Sequence, residues 1–331
     1  MEGRTPSGSP SPGDAGRSSE VTGGLGSVTG GGDGHRGSVD AGYGGPGQAE
    51  AGPEVSGERA PVRATEGPRS ARIIALANQK GGVGKTTTAV SLGAALAERD
   101  LQVLLVDFDP QGGCALGLGI EPGALELSVY DALLDRSLEA AEVIQKTTFP
   151  NLDLLPSNID LSAAEIMLVQ EVAREQTLLR LLAPLRVKYD FILIDCPPSL
   201  GLLTINALTA ADGVIVPLEC EYYALRGVAL LMDSIDRVRE RLNPRLQVDG
   251  ILTTMVDNRT LHGREVMARL TEAFGRSMFD TVIRKTIRFA EAPVAGEPIL
   301  SYAPASAGAA AYRNLAQEVI ERVSTSQAAG R

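Results

Sequence analysis

The stretch QKGGVGKTTT, residues 79 to 88, carries two lysines, Lys80 and Lys85, around Gly81, Gly82 and Gly84. Glycines at this density let a backbone curl until its N–H groups converge on phosphate oxygens. A helix opening near Lys85 turns its positive end toward the same anion. Lys85 is then placed to reach β- and γ-phosphates, Thr86 to ligate Mg²⁺ and Thr87 to contact the α-phosphate, with Val83 completing the cradle. One lysine suffices for this chemistry. Lys80, at the front of the loop, is surplus to it.

Three carboxylates accompany the loop. VLLVDFDPQG places Asp107 and Asp109 at the C-terminal end of an apolar run, and FILIDCPPS places Asp195 likewise, four apolar residues followed by an acid in the Walker B manner. Ligands of open α/β sheets bind at the carboxyl ends of strands, so three acids there describe a nucleotide-hydrolysing site. Asp195 is expected to hold Mg²⁺, and one of Asp107 and Asp109 to orient the attacking water.

These residues need a scaffold that brings strand ends together. From Ala71 onward, apolar runs (72–78, 102–107, 152–157, 190–195, 213–218, 248–256, 280–283) alternate with helical stretches (85–98, near 162–183, 201–210, 224–240, 261–274, 307–323). That alternation predicts an α/β fold with a doubly wound, mostly parallel sheet. Hydrophobic residues make up 44% of the 331-residue chain but aromatics only 4%, so the core must rest on aliphatic side chains. Residues 1–70 hold 19 of the 37 glycines and few bulky aliphatics, and are expected to form a disordered tail ahead of a domain at 71–325; 326–331 are expected to be a disordered end. Cys114, Cys196 and Cys220 have no metal-site or disulfide spacing, consistent with a cytoplasmic protein. No signal peptide or membrane span is evident. The net charge of −10 excludes a uniformly basic nucleic-acid binder but not a local basic patch.

The ordered motifs KGGVGKTT (80–87), VLLVDFDPQG (103–112), ILIDCPPS (192–199), EYYALRGV (221–228), TMVDNRT (254–260) and IRFAEAPVAG (287–296) resemble the ParA/Soj partitioning ATPases, within the group that includes MinD. The resemblance spans about residues 72 to 323 and implies a P-loop NTPase of the deviant Walker A type with ATP and Mg²⁺ as ligands. It makes Lys80 the signature lysine that reaches the nucleotide of the other subunit in an ATP-dependent homodimer. It makes Asp109 the hydrolytic residue and Asp107 a support of the metal shell. It also implies a ParB-type centromere-binding partner, non-specific double-stranded DNA as ligand, and a nucleoid-associated location; the terminal VIERVSTSQAAGR, which fades into small polar residues, argues against membrane attachment.

Seven basic residues between 259 and 288 stand against three acids, a plausible phosphate-contacting stripe. Arg259, Arg284, Lys285 and Arg288 are its candidate DNA contacts; by resemblance, Arg259 and Arg288 fall where family members carry arginines for DNA. Two departures stand out. IRKT (283–286) replaces the family's IPRN near the adenine, and Gly113-Cys114 replaces Asn-Ala after DPQG, with Cys114 read as a small buried filler. Two other functions share the loop: a MinD-like positioning ATPase, which would need a basic amphipathic terminal helix, and a P-loop ATP-dependent ligase or synthetase, which would need a small-molecule pocket.

Overall fold

The computed structural model describes residues 70–221, 224–257 and 261–329; residues 1–69, which make up nearly all of the expected tail, lie outside it. β1 (Arg72–Leu76) leads through the glycine loop into α1 (Lys85–Ala97) and β2 (Val103–Asp107). The short helices α2 (Gly113–Leu116), α3 (Val129–Leu134) and α4 (Ala140–Val143) precede β3 (Gln145–Lys146) and β4 (Leu152–Leu155). Next come α5 (Leu161–Met167), α6 (Thr177–Leu182), β5 (Phe191–Asp195), α7 (Leu202–Ala210), β6 (Gly213–Glu219) and α8 (Ala224–Arg241). The chain continues through β7 (Gln247–Val256), α9 (Leu261–Phe274), β8 (Met278–Arg284), α10 (Arg288–Ala295), α11 (Ile299–Tyr302) and α12 (Ala307–Ala329).

The eight strands form one sheet in the order β3-β4-β2-β5-β1-β6-β7-β8, parallel except where β3 pairs antiparallel with β4 at the edge. This is the mostly parallel, doubly wound sheet that the sequence predicts. Ile73 and Ala75 of β1 face one core, with Leu104, Val106, Ile192 and Ile194; Ile74 and Leu76 face the other, with Leu105, Leu193 and Ile215. Helices cover both faces, which is why the strands read as continuous apolar runs and not as alternating ones.

β1 lies at the centre, between β5 and β6. Its carboxyl end, where the glycine loop begins, therefore adjoins the ends of both neighbours. β5 in turn pairs with β2 in a register that sets Asp107 directly beside Asp195. The sheet alone brings the phosphate loop and two of the three acids to one place.

Three details go beyond or against expectation. The helical stretches expected near 162–183 are two short helices, α5 and α6, separated by single 3₁₀ turns and by Ala173, whose φ of 54° is left-handed and stops a right-handed helix. No glycine or proline marks that break. α10 spans Pro293, which disfavours the α conformation in the residue before it and gives no sequence signal for a helix. The last helix continues to Ala329, so residues 326–329 are helical where a disordered end was expected.

Candidate nucleotide and cation site

The loop is fastened before it turns. Buried Asn78 donates from Nδ2 to the Pro217 carbonyl at 2.7 Å and accepts the Lys80 N–H on Oδ1 at 2.9 Å. Val83, fully buried, gives its carbonyl to the Thr254 hydroxyl of β7 at 2.9 Å. Gly82 and Gly84 have φ of 76° and 85°, values that other residues adopt only with strain. Gly84 is the N-cap of α1 and carries no side chain to cap it; no acid lies in the first turn. The open N–H groups at this helix start suit an anion.

Lys85 opens α1 with 6% of its surface exposed, its Nζ donating to the Lys80 carbonyl at 3.3 Å. Burial pulls its ammonium below the ordinary lysine range, against the opposing field of Asp195, Cys196 and Asp109. Lys80 ends elsewhere. Its Nζ donates to Glu219 Oε2 at 2.7 Å and also to Glu221 Oε2, beyond the end of β6, with 46% of the side chain exposed. Partial burial opposes the charge, yet the two glutamates hold the ammonium above its ordinary value. These glutamates are partners of Lys80 that the sequence alone did not single out. The signal was present, since PLECE puts an acid at a strand end beside the loop, as in the other two acid motifs.

Asp107 and Asp195 are fully buried. Asp107 Oδ2 accepts the backbone N–H groups of Cys114 at 2.9 Å and Ala115 at 3.2 Å, which ties α2 to the end of β2. Oδ1 of each aspartate has no hydrogen-bond partner. Burial pushes Asp195 up to about 7, with the Thr86 hydroxyl and Lys85 working against the shift. Burial and the neighbouring Asp195 also raise Asp107 well above the carboxylate range. Two buried carboxylates with orphaned oxygens beside a threonine hydroxyl fit a divalent cation, which would satisfy both. Cys114 is buried in the core as expected, and its Sγ also lies 3.6 Å from Asp195 Oδ2.

Asp109 is half-buried on the turn after β2, its Oδ1 accepting the Gln111 N–H at 3.0 Å and its carbonyl held by the Ser157 hydroxyl at 2.9 Å. Thr86 and Thr87, with Gly113, Phe289, Pro293 and Ile299, line a cavity between the loop and the α10–α11 segment. The two sides of that cavity meet at Gly119 and Gly296, both left-handed: a Cβ built on Gly296 would lie 2.7 Å from Gly119 Cα.

The predicted basic stripe is partly visible. Arg284 and Lys285 end β8 and its following turn, both exposed. Arg288 begins α10 and donates to Glu291 Oε2 at 2.9 Å, so its charge is offset locally. Arg259 lies outside the described residues. In the IRKT segment, Ile283 is buried and the Thr286 hydroxyl accepts the Arg288 N–H at 3.3 Å, fixing the start of α10.

A parallel sheet with a glycine loop at the end of its central strand, buried acids on the adjoining strand ends and a helix opening on the loop defines a P-loop nucleotide-binding protein. A family model described as an AAA domain matches residues 71–248. The chain is 50% identical over 248 residues to the sporulation initiation inhibitor protein Soj of Bacillus subtilis, covering 75% of this chain and 98% of that one. It is 47% identical over 259 residues to the chromosome partitioning protein ParA of Caulobacter vibrioides, covering 78% and 97%. A crystal structure of cobyrinic acid a,c-diamide synthase from Mycobacterium smegmatis, with bound ATP analog and magnesium, is 41% identical with a TM-score of 0.68, covering 77% of this chain and 97% of that chain. The chain belongs to the Soj/ParA family of chromosome-partitioning ATPases.

Proposed function

We propose that residues 71–325 form an ATP-driven switch that dimerises with ATP bound, holds double-stranded DNA without reading its sequence, and lets go after a ParB-type partner accelerates hydrolysis. The observation that carries this reading is the separation of the two loop lysines. Lys85 is buried in its own phosphate loop, whereas Lys80 leaves that loop for the exposed end of β6.

The loop N–H groups of residues 81–87, Lys85 and Thr86 would hold ATP, and Thr86 with Asp195 and Asp107 would hold Mg²⁺. When bound, Mg²⁺ supplies charge neutralisation and polarisation of the terminal phosphate. Asp109, half-exposed on a turn anchored by Ser157, would orient the attacking water and take its proton. On dimerisation Lys80 would exchange Glu219 and Glu221 for the partner's triphosphate, so the contact lasts only while the terminal phosphate does. Light scattering in the hydrolysis-blocked Asp109→Ala background tests this. With ATP that variant should be dimeric, and Lys80→Ala added to it should remain monomeric while still binding ATP. A dimer that persists in the double variant removes the reading.

Arg284 and Lys285, with Arg259 and Arg288, would supply the DNA contacts, two stripes on one face of the dimer. Binding should require ATP and fall steeply with salt. Charge reversal at Arg284 and Lys285 should abolish the ATP-dependent shift of non-specific DNA, and an unchanged shift would place the DNA surface elsewhere. Among the described residues no helix is long and apolar enough to cross a membrane. The similarity to the Mycobacterium smegmatis synthase favours one second reading, an ATP-dependent synthetase. Stimulation of ATP hydrolysis by a small carboxylic acid, and not by DNA with a partner protein, would select it.

A further inference from the structure

Under the phosphate loop lie three donor atoms of mixed character. One carboxylate oxygen each from Asp107 and Asp195 and the sulfur of Cys114 all lie within 4.8 Å of one another, and all three residues are buried. An acidic pair alone would support no ligand beyond Mg²⁺. Here two fully buried oxygens, Asp107 Oδ1 and Asp195 Oδ1, have no protein partner, and the Cys114 thiol lies 3.6 Å from Oδ2 of the same Asp195 carboxyl. The thiol is also held in place. The Cys114 N–H is bound by Asp107 Oδ2, and a Cβ on the preceding Gly113 would lie 2.9 Å from Thr86 Cγ2, so the backbone there is packed against the loop.

Mg²⁺ demands oxygen ligands and gains nothing from sulfur, whereas two carboxylates with one thiolate suit a borderline or soft cation that tolerates few ligands. We propose that Asp107, Cys114 and Asp195 form a site for a thiophilic divalent cation of the Zn²⁺ and Cd²⁺ class, which the nucleotide-free chain binds in place of Mg²⁺. Three protein ligands leave a fourth position of a tetrahedral ion open toward the loop. Binding forms one metal–sulfur and two metal–oxygen bonds, breaks the Cys114 S–H bond and any O–H bond that the two buried carboxyls retain, and releases those protons to solvent, with no change of oxidation state. Neither other cysteine offers such a set. Cys196 Sγ faces the Ile194 carbonyl at 3.9 Å, and Cys220 belongs to no such cluster among the described residues.

This inference rests on reading the acid pair as a cation site, and its test separates the two. The full chain, freed of nucleotide and divalent ions, is titrated with Cd²⁺ while the ultraviolet sulfur-to-cadmium charge-transfer band is followed. One equivalent should develop the band in the wild type and in Cys196→Ala. In Cys114→Ala the band should vanish and Cd²⁺ affinity should fall by at least about tenfold, the low end of what losing part of a metal shell costs. Cys114→Ser, which preserves size, serves if the alanine variant fails to fold, with circular dichroism as the check. No band in the wild type, or a band that survives at Cys114→Ala and Cys114→Ser, overturns the proposal. Mg²⁺-dependent binding of an ATP analog is measured beside it. Its absence with the cadmium band retained would remove the Mg²⁺ reading and leave the thiophilic site standing.

Discussion

Lys85 and Lys80 leave one loop five residues apart and end in opposite surroundings. Lys85 is buried with fully enclosed acids near it, and backbone elements fix every one of these groups: the register of β2 on β5, the start of α1, the N–H groups of α2. Lys80 is half-exposed and held by two glutamate side chains, one of them about as exposed as itself. A group fixed by the sheet cannot be exchanged without unfolding something. A group fixed by rotatable side chains can change partners at little cost, because exposed ion pairs contribute about 0–1 kcal/mol. The loop thus joins a rigid chemical half to a movable half, and only the second is suited to contact that comes and goes.

The largest effect should follow from Lys85→Ala. Removing a buried, charge-paired donor costs about 3 kcal/mol, so ATP affinity measured by fluorescent-analog titration should drop roughly a hundredfold. Lys80→Ala should change the same affinity less than about threefold, in line with its exposed, weak pairing. Equal losses at the two lysines would break the comparison.

The rigid half also predicts a pH dependence. An unfolded aspartate titrates near ~3.9, while folded Asp195 titrates at about 7. Between those values the folded chain keeps a proton that the unfolded chain has released. Stability from this group is therefore full below the lower value and declines as pH rises through the upper one. Without nucleotide or divalent cation, Tm should fall between about pH 4 and pH 7. Asp195→Asn should flatten that fall only in part, since Asp107 is raised as well. A Tm that rises across the window would mean that the pair is already ionised and neutralised.

The smallest effect belongs to the movable half. Glu219→Gln with Glu221→Gln should leave Tm nearly unchanged but lower the ATP concentration needed for half-maximal dimerisation by up to about fivefold, the equivalent of about 1 kcal/mol. Light scattering against ATP concentration measures it. A higher requirement would mean that the glutamates assist the dimer and do not compete with it.

What could be read in advance divides along the same line. The central strands, α1 and the acids at positions 107, 109 and 195 were legible because buried parallel strands and a phosphate loop leave local patterns in types and spacing. The register that pairs Asp107 with Asp195 was not, because it depends on strand order across 88 residues of chain. The break at Ala173 and the helix through Pro293 run against local preference and are set by tertiary packing. PLECE showed acids at a strand end, but not that they meet Lys80, because that pairing joins segments 139 and 141 residues apart. Cys114 was read correctly as buried, yet its neighbours, the property that matters for chemistry, were invisible until the fold was known.

Gly119 and Gly296 touch backbone to backbone, with no side chain between them to act as a cushion. Side chains can absorb a displacement by changing rotamer; two peptide planes in contact cannot. A shift of the turn that follows the acid motif must therefore push directly on the end of α10, and from there on the segment that begins with Arg288. In mechanical terms the pair is a bearing surface, stiff in compression, between the region that would register the nucleotide and one that would carry DNA contacts. Its tolerance is tight: a methyl group on Gly296 would lie 2.7 Å from Gly119 Cα and force the two segments apart, while one on Gly119 would press on the Gly296 carbonyl at 3.1 Å.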